Sequence, residues 1–216
     1  MQTTGRALTD LLLVFTSVLF IVDPFAVIPS FLAMTERDTA PYRRVMARRG
    51  AWTCAITLTV FALGGGMIFK LFGITIGAFK IAGGMLIGLN ALDMVQAKRS
   101  QQRETPAEKA EGIQKEDISI MPLGVPMLAG PGAISTVMVL SLGAKGPLMT
   151  GAVYVSIALT AFISYVALAA ASMLERRLGQ TGMRILTRLM GLVLLAIAVQ
   201  FIVDGIRLTG LVGQQP

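Results

Sequence analysis

Long apolar runs, separated by short clusters of charge, set the pattern of this chain. Residues 50–69 and 146–174 carry no charge, and 189–203 hold one amide, Gln200. A bilayer span needs roughly 20 predominantly apolar residues, so runs of this length are transmembrane helices rather than core helices. The pattern predicts spans over 8–34, 50–70, 74–97, 119–142, 147–174 and 184–206, joined by loops at 35–49, 98–118 and 175–188. The expected fold class is an all-α membrane protein with six transmembrane helices. Arg6 ahead of an apolar stretch has the look of a signal peptide, but Asp23-Pro24 interrupts the stretch and no small-residue cleavage site follows. A retained helix is expected.

Two of these spans are broken by helix-disrupting residues. The first reads Ile21-Val22-Asp23-Pro24-Phe25-Ala26-Val27-Ile28-Pro29, and the second Leu128-Ala129-Gly130-Pro131-Gly132-Ala133-Ile134-Ser135-Thr136. Proline removes a backbone donor and frees the carbonyl a turn upstream. In hydrocarbon, freed groups survive only when buried in protein or lining a wet cavity. Pro122, Pro126, Gly124 and Gly130 crowd the fourth span further. The first and fourth helices are therefore expected to be discontinuous near mid-membrane.

The two breaks stand in register. Pro24 and Pro131 lie 107 positions apart, and Ala26 with Ala133, Gly84 with Gly191 and Ala91 with Ala198 keep that offset. The expected organisation is a first three-helix repeat over 1–97, a charged cytoplasmic loop over 98–118 and a second three-helix repeat over 119–216. Because each half crosses three times, the second enters the membrane with inverted orientation. Paired, interrupted segments in such halves are the sequence pointer to the substrate site of a secondary transporter.

Charge adds orientation. Of the 19 lysines and arginines only Arg6, Lys70, Lys80, Lys145 and Arg207 lie outside the three loops. The positive-inside rule then puts those loops in the cytoplasm and both termini outside. The net charge of +7 is accounted for by topology and calls for no nucleic-acid partner.

Histidine is absent and Cys54 is the lone cysteine. No cluster has metal-ligand spacing, no nucleophile–base pair is visible, and no cofactor is expected, so an enzyme is the least expected class. The chemistry lies in the breaks. The N-terminus of a half-helix offers spare N–H groups to a carboxylate, and the C-terminal carbonyls of its partner suit an ammonium group or a cation. Two facing breaks would hold a small zwitterion with few charged side chains. Candidate binding residues are Asp23, Pro24, Phe25, Ala26 and Pro29 with Gly130, Pro131, Gly132, Ala133 and Thr136. Asp23 is the one charge in 11–35, and intramembrane acids are functional by default. It could bind an ammonium or a cation, carry a coupling proton, or cap the half-helix that starts at Pro24. Asp93, with Asn90 one turn before it, stands at the repeat position of Gln200, and the two are candidates for lining a pathway. Asp204 and Arg207 have the spacing of a helix-end pair. Gly84 and Gly88 form a GxxxG, compatible with a homo-oligomer and equally with close packing inside the bundle.

At these residues the chain resembles the MarC family, the small neutral amino acid transporter group within the lysine-exporter superfamily. The segments carrying the likeness are Asp23 to Phe31, Pro126 to Ile134, Ala82-Gly83-Gly84, Ala91-Leu92-Asp93, Met190-Gly191-Leu192 and Ala196 to Gln200. The resemblance implies a six-helix protein of the bacterial inner membrane that transports glycine, alanine and similar solutes. The leading expectation is ion-coupled alternating access, with H+ or Na+ as the coupling ion. The alternatives are an exporter of another small solute and a membrane scaffold or sensor that uses the 98–118 loop.

Overall fold

The computed structural model describes residues 2–36, 38–96 and 118–209, with no strand among them. The charged loop lies outside these residues, apart from Ile118. In chain order the helical segments are α1 (Gln2–Val22), α2 (Pro24–Met34), α3 (Ala40–Phe72), α4 (Ile76–Val95), α5 (Ser119–Leu128), α6 (Pro131–Gly143), α7 (Pro147–Ala169) and α8 (Ala171–Thr209). Thr9–Met34, α3, α4, α7 and Thr181–Thr209 are each long and apolar enough to cross a bilayer. The pair α5 and α6, bent by 63°, makes a sixth span if counted as one.

Both expected breaks are present, and they differ in kind. Asp23 interrupts the first helix with one left-handed residue (φ 45, ψ 69), after which α2 restarts with Pro24 in its first turn. Pro29 sits inside α2, and the helix runs on through it. The second break is deeper. Met121 and Val125 are extended (φ −133 and −137), as residues before proline are pushed to be, and both of these prolyl peptide bonds are cis. Hydrogen bonds five residues apart, Leu123 N–H to Ile118 O and Ala129 N–H to Gly124 O, close widened turns around them.

Two of the expected loops are largely helix. α3 begins at Ala40, not near residue 50, because Pro41 stands at a helix start behind the N-cap residue Thr39. Residues 175–188 belong to α8, which is broken only at Gly179 (φ 63). Hydropathy marks where apolar character ends, while helices with basic residues continue past that point.

The most extensive helix pairing is between α4 and α8. A Cβ on Gly84 would lie 2.8 Å from the Ala198 carbonyl oxygen, one on Gly191 would lie 3.0 Å from that of Ala91, and one on Gly205 would lie 2.7 Å from that of Gly77. The contacts ascend α4 through 77, 84 and 91 while descending α8 through 205, 198 and 191, so the helices run antiparallel. Small residues every seventh position let the two backbones touch, which drives association where lipid is as apolar as leucine. Gly84 on Ala198 and Gly191 on Ala91 are one contact made twice with the roles exchanged. Other contacts are exchanged in the same way: α1 packs on α7 as α5 packs on α3, and α2 touches α7 and α8 as α6 touches α3 and α4.

Polar ties hold the ends. Arg43 donates from Nε to Thr35 O (2.8 Å) and from Nη2 to Glu36 O (3.0 Å), closing the carbonyl end after α2, and from Nη1 to Ser172 Oγ in α8 (3.1 Å). Ser141 Oγ of α6 donates to Ala62 O of α3 at 2.8 Å. Asp204 does not pair with Arg207 as the spacing suggested. It takes Lys80 of α4 at 3.2 Å and accepts from Gln200 Nε2 at 2.7 Å, since α4 brings a cation to that face of α8.

Candidate functional site

The two breaks start their half-helices at Pro24 and Pro131, 107 residues apart, and what differs is the cap. In the first, Asp23 Oδ1 accepts from Ala26 N–H at 3.3 Å, so the start of α2 is closed by its own side chain. Asp23 is 2% exposed. Aspartate is one of the few side chains that tolerate a left-handed backbone, because it can hydrogen-bond locally. Position 130, 107 residues after Asp23, is glycine. It caps α6 with no side-chain hydrogen bond of its own, so the cap itself gives the first-turn N–H groups no carboxylate. A Cβ at Gly130 would stand 2.9 Å from the Pro126 carbonyl oxygen, so the close return of the chain excludes one.

A cavity of about 290 Å³ opens at this uncapped start. Gly130, Pro131, Gly132 and Ala133 form one wall and Pro126, Met127 and Leu128 another. Ile21 of α1, Leu86, Ile87 and Asn90 of α4, and Leu194 of α8 complete it. Ile21 with Leu128, and Ile87 with Leu194, are pairs at the 107-residue offset. The lining carries no charged side chain, and Asn90 is its one polar side chain. Its volume is at the small end of the roughly 300–1,000 Å³ usual for ligand pockets.

Of the residues expected from sequence, the cavity gathers Gly130, Pro131, Gly132 and Ala133. Asp23, Pro24, Phe25, Ala26 and Pro29 are not in its lining, although Ile21, two residues before Asp23, is. Thr136 is fully buried and its hydroxyl turns back to Gly132 O (2.8 Å), which also accepts from Ser135 Oγ (2.9 Å). Gln200 is exposed and bonded to Asp204, and Asp93 is half-buried near the end of α4. Neither lines the cavity. The lining residues that sequence did not mark as candidates are apolar ones, Leu86, Ile87 and Leu194, which look like any lipid-facing or core position, and Ile21, quoted only as the start of the first break. Ile21 and Leu128 both open the broken segments, whereas Ile87 and Leu194 are joined only by the 107-residue offset.

The cap predicts how Asp23 responds to substitution. Alanine loses the capping oxygen, at about 1 kcal/mol, and carries about 1 kcal/mol more for the left-handed backbone. Asparagine keeps both properties. Heating in detergent, followed by the loss of monodisperse protein, should rank Asp23→Ala clearly below Asp23→Asn. Equal melting would contradict the capping role.

Residues 8–209 match the family described as MarC family integral membrane protein. A UPF0056 membrane protein of Methanocaldococcus jannaschii is 41% identical over 197 residues, 91% of this chain and 95% of its own. The UPF0056 membrane protein YvbG of Bacillus subtilis is 38% identical over 195 residues (90% and 92%). YhcE of Escherichia coli, of the same description, is 36% identical over 193 (89% and 90%). No solved structure matches the chain. With apolar spans throughout and a likeness that runs nearly end to end in both directions, the chain belongs to the MarC family of integral membrane proteins.

Proposed function

We propose that this protein is a secondary active transporter of small neutral amino acids, working by ion-coupled alternating access at the cavity where α6 begins. The observation that carries the reading is the unequal capping of the two breaks. Asp23 satisfies the start of α2 from within the chain, whereas Gly130 leaves the start of α6 open on a cavity. A helix N-terminus with open N–H groups favours a carboxylate, and one that ends in an apolar, uncharged cavity disfavours a second net charge. A zwitterion with a short apolar side chain fits both conditions, its carboxylate at Gly132 and Ala133 and Asn90 within the same lining. Asp23 remains the acid best placed to take a coupling proton or cation.

The reading includes an inverted repeat of six spans. Exchanged contacts across antiparallel α4 and α8 fit a two-fold axis perpendicular to those helices, hence in the membrane plane, and the cavity lies among its paired residues. Alternating access is then rocking of one repeat against the other about that site. The basic segments face the cytoplasm on this reading, with both termini outside.

Competition for binding tests the chemistry of the site. Labelled alanine bound to the purified protein should be displaced by glycine and serine, but not by ethylamine, which is alanine without its carboxyl group. Displacement by ethylamine as effective as that by glycine would remove the carboxylate from the account.

A further inference from the structure

We propose that Ile87 sets the size limit of the transported solute, by filling the space beside the first turn of α6 that any side chain larger than a methyl would need. The inference rests on the docking of an amino acid at that turn. Ile87 lines the cavity yet is only 3% exposed, so its bulk is wedged in place. A Cβ on Gly132 would meet Ile87 Cγ1 at 2.9 Å and, on another side, Ile21 Cγ2 at 3.6 Å. A side chain at position 132 would therefore press on Ile87 first.

Both walls are stiff. Isoleucine in a helix is held to one strongly preferred χ1, so it cannot swing aside as methionine would. The facing turn is pinned as well. Ser135 and Thr136 both donate to Gly132 O, and Ser135 Oγ lies where a Cβ on Gly83 of α4 would approach within 2.6 Å. A solute whose carboxylate sits on this turn places its own side chain in the remaining space, with Ile87 as the near boundary. Alanine adds one carbon there, valine three.

Discrimination by an apolar wall is worth roughly 10–200-fold per methylene. Ile87→Ala removes three carbons, more than the two that separate valine from alanine. The experiment is uptake of labelled valine and alanine into proteoliposomes, read as the valine-to-alanine ratio. The ratio should rise at least about tenfold in Ile87→Ala and by a smaller factor in Ile87→Val, which loses a single carbon and keeps the test open if the alanine variant fails to assemble. Gly132→Ala should lose alanine uptake, and adding Ile87→Ala to it should restore part of that loss. A wild type that carries alanine, with ratios unchanged in both Ile87 variants, overturns the filter and leaves the transport reading standing. A wild type that moves neither glycine nor alanine overturns both.

Discussion

A Gly132→Val protein is expected to assemble and yet to lose alanine uptake by about a hundredfold or more. The added branch enters the cavity at the N–H groups proposed to hold the carboxylate, in a space bounded by Ile87 Cγ1 at 2.9 Å and Ile21 Cγ2 at 3.6 Å from the new Cβ. Overpacking costs about 1–3 kcal/mol of stability, and here the cavity itself takes up part of the volume. The loss of function is larger because displacement of about 1 Å in a site can cost a hundredfold. Thermal stability within a few degrees of wild type together with intact uptake would show that solute does not pass beside this turn.

The second large effect belongs to the seam between α4 and α8. Gly84→Leu should destabilise the bundle by about 3 kcal/mol, the upper end of overpacking. Its Cβ would lie 2.8 Å from the Ala198 carbonyl oxygen and 2.8 Å from Ile202 Cγ1. A carbonyl oxygen is part of the opposing helix and cannot rotate away, so the helices must separate. That opens the neighbouring Gly77–Gly205 and Ala91–Gly191 contacts as well. Gly64→Leu is the matched control: the position is half-buried, a Cβ there meets nothing within 4 Å, and a substitution without such a clash stays within about 0.5 kcal/mol. Yield of monodisperse protein in detergent, and its loss on heating, should separate the two. Equal behaviour would mean that the seam is not what holds α4 and α8 together.

Much of the fold was legible because proline and glycine act locally. Pro24, Pro131 and the glycines around the second break stand at helix starts and turns, so both interruptions could be placed to within a few residues, whereas Pro29 is carried inside α2. Gly84, Ala91, Gly191 and Ala198, which share the 107-residue offset, are contact points of a single seam. Helix ends were less legible. Residues 40–49 and most of 175–188 are helical because Thr39-Ala40-Pro41 and the turn after Ala169 start helices, while charge marks only the end of apolar character. Tertiary placement was least legible. Nothing in Asp204 distinguishes a partner three residues away from Lys80 on another helix, and apolar Ile87 carries no sign of facing a cavity.

The candidate site was half legible for the same reason. Both breaks look alike in sequence, as apolar segments with proline at the helix start. What separates them is a side chain at one position, Asp23 against Gly130, which closes one half-helix and leaves the other open. That contrast could be read from the aligned halves, but its consequence depends on Ile21, Asn90 and Leu194 arriving from three other helices to enclose a cavity.

Uptake of labelled alanine into proteoliposomes, under an imposed proton gradient and then a sodium gradient, tests the central claim most directly, with Gly132→Val as the paired variant. The account predicts accumulation in wild type under one of the gradients and none in Gly132→Val. No movement of alanine or glycine in either direction, through wild-type protein that is folded in the bilayer, would contradict it.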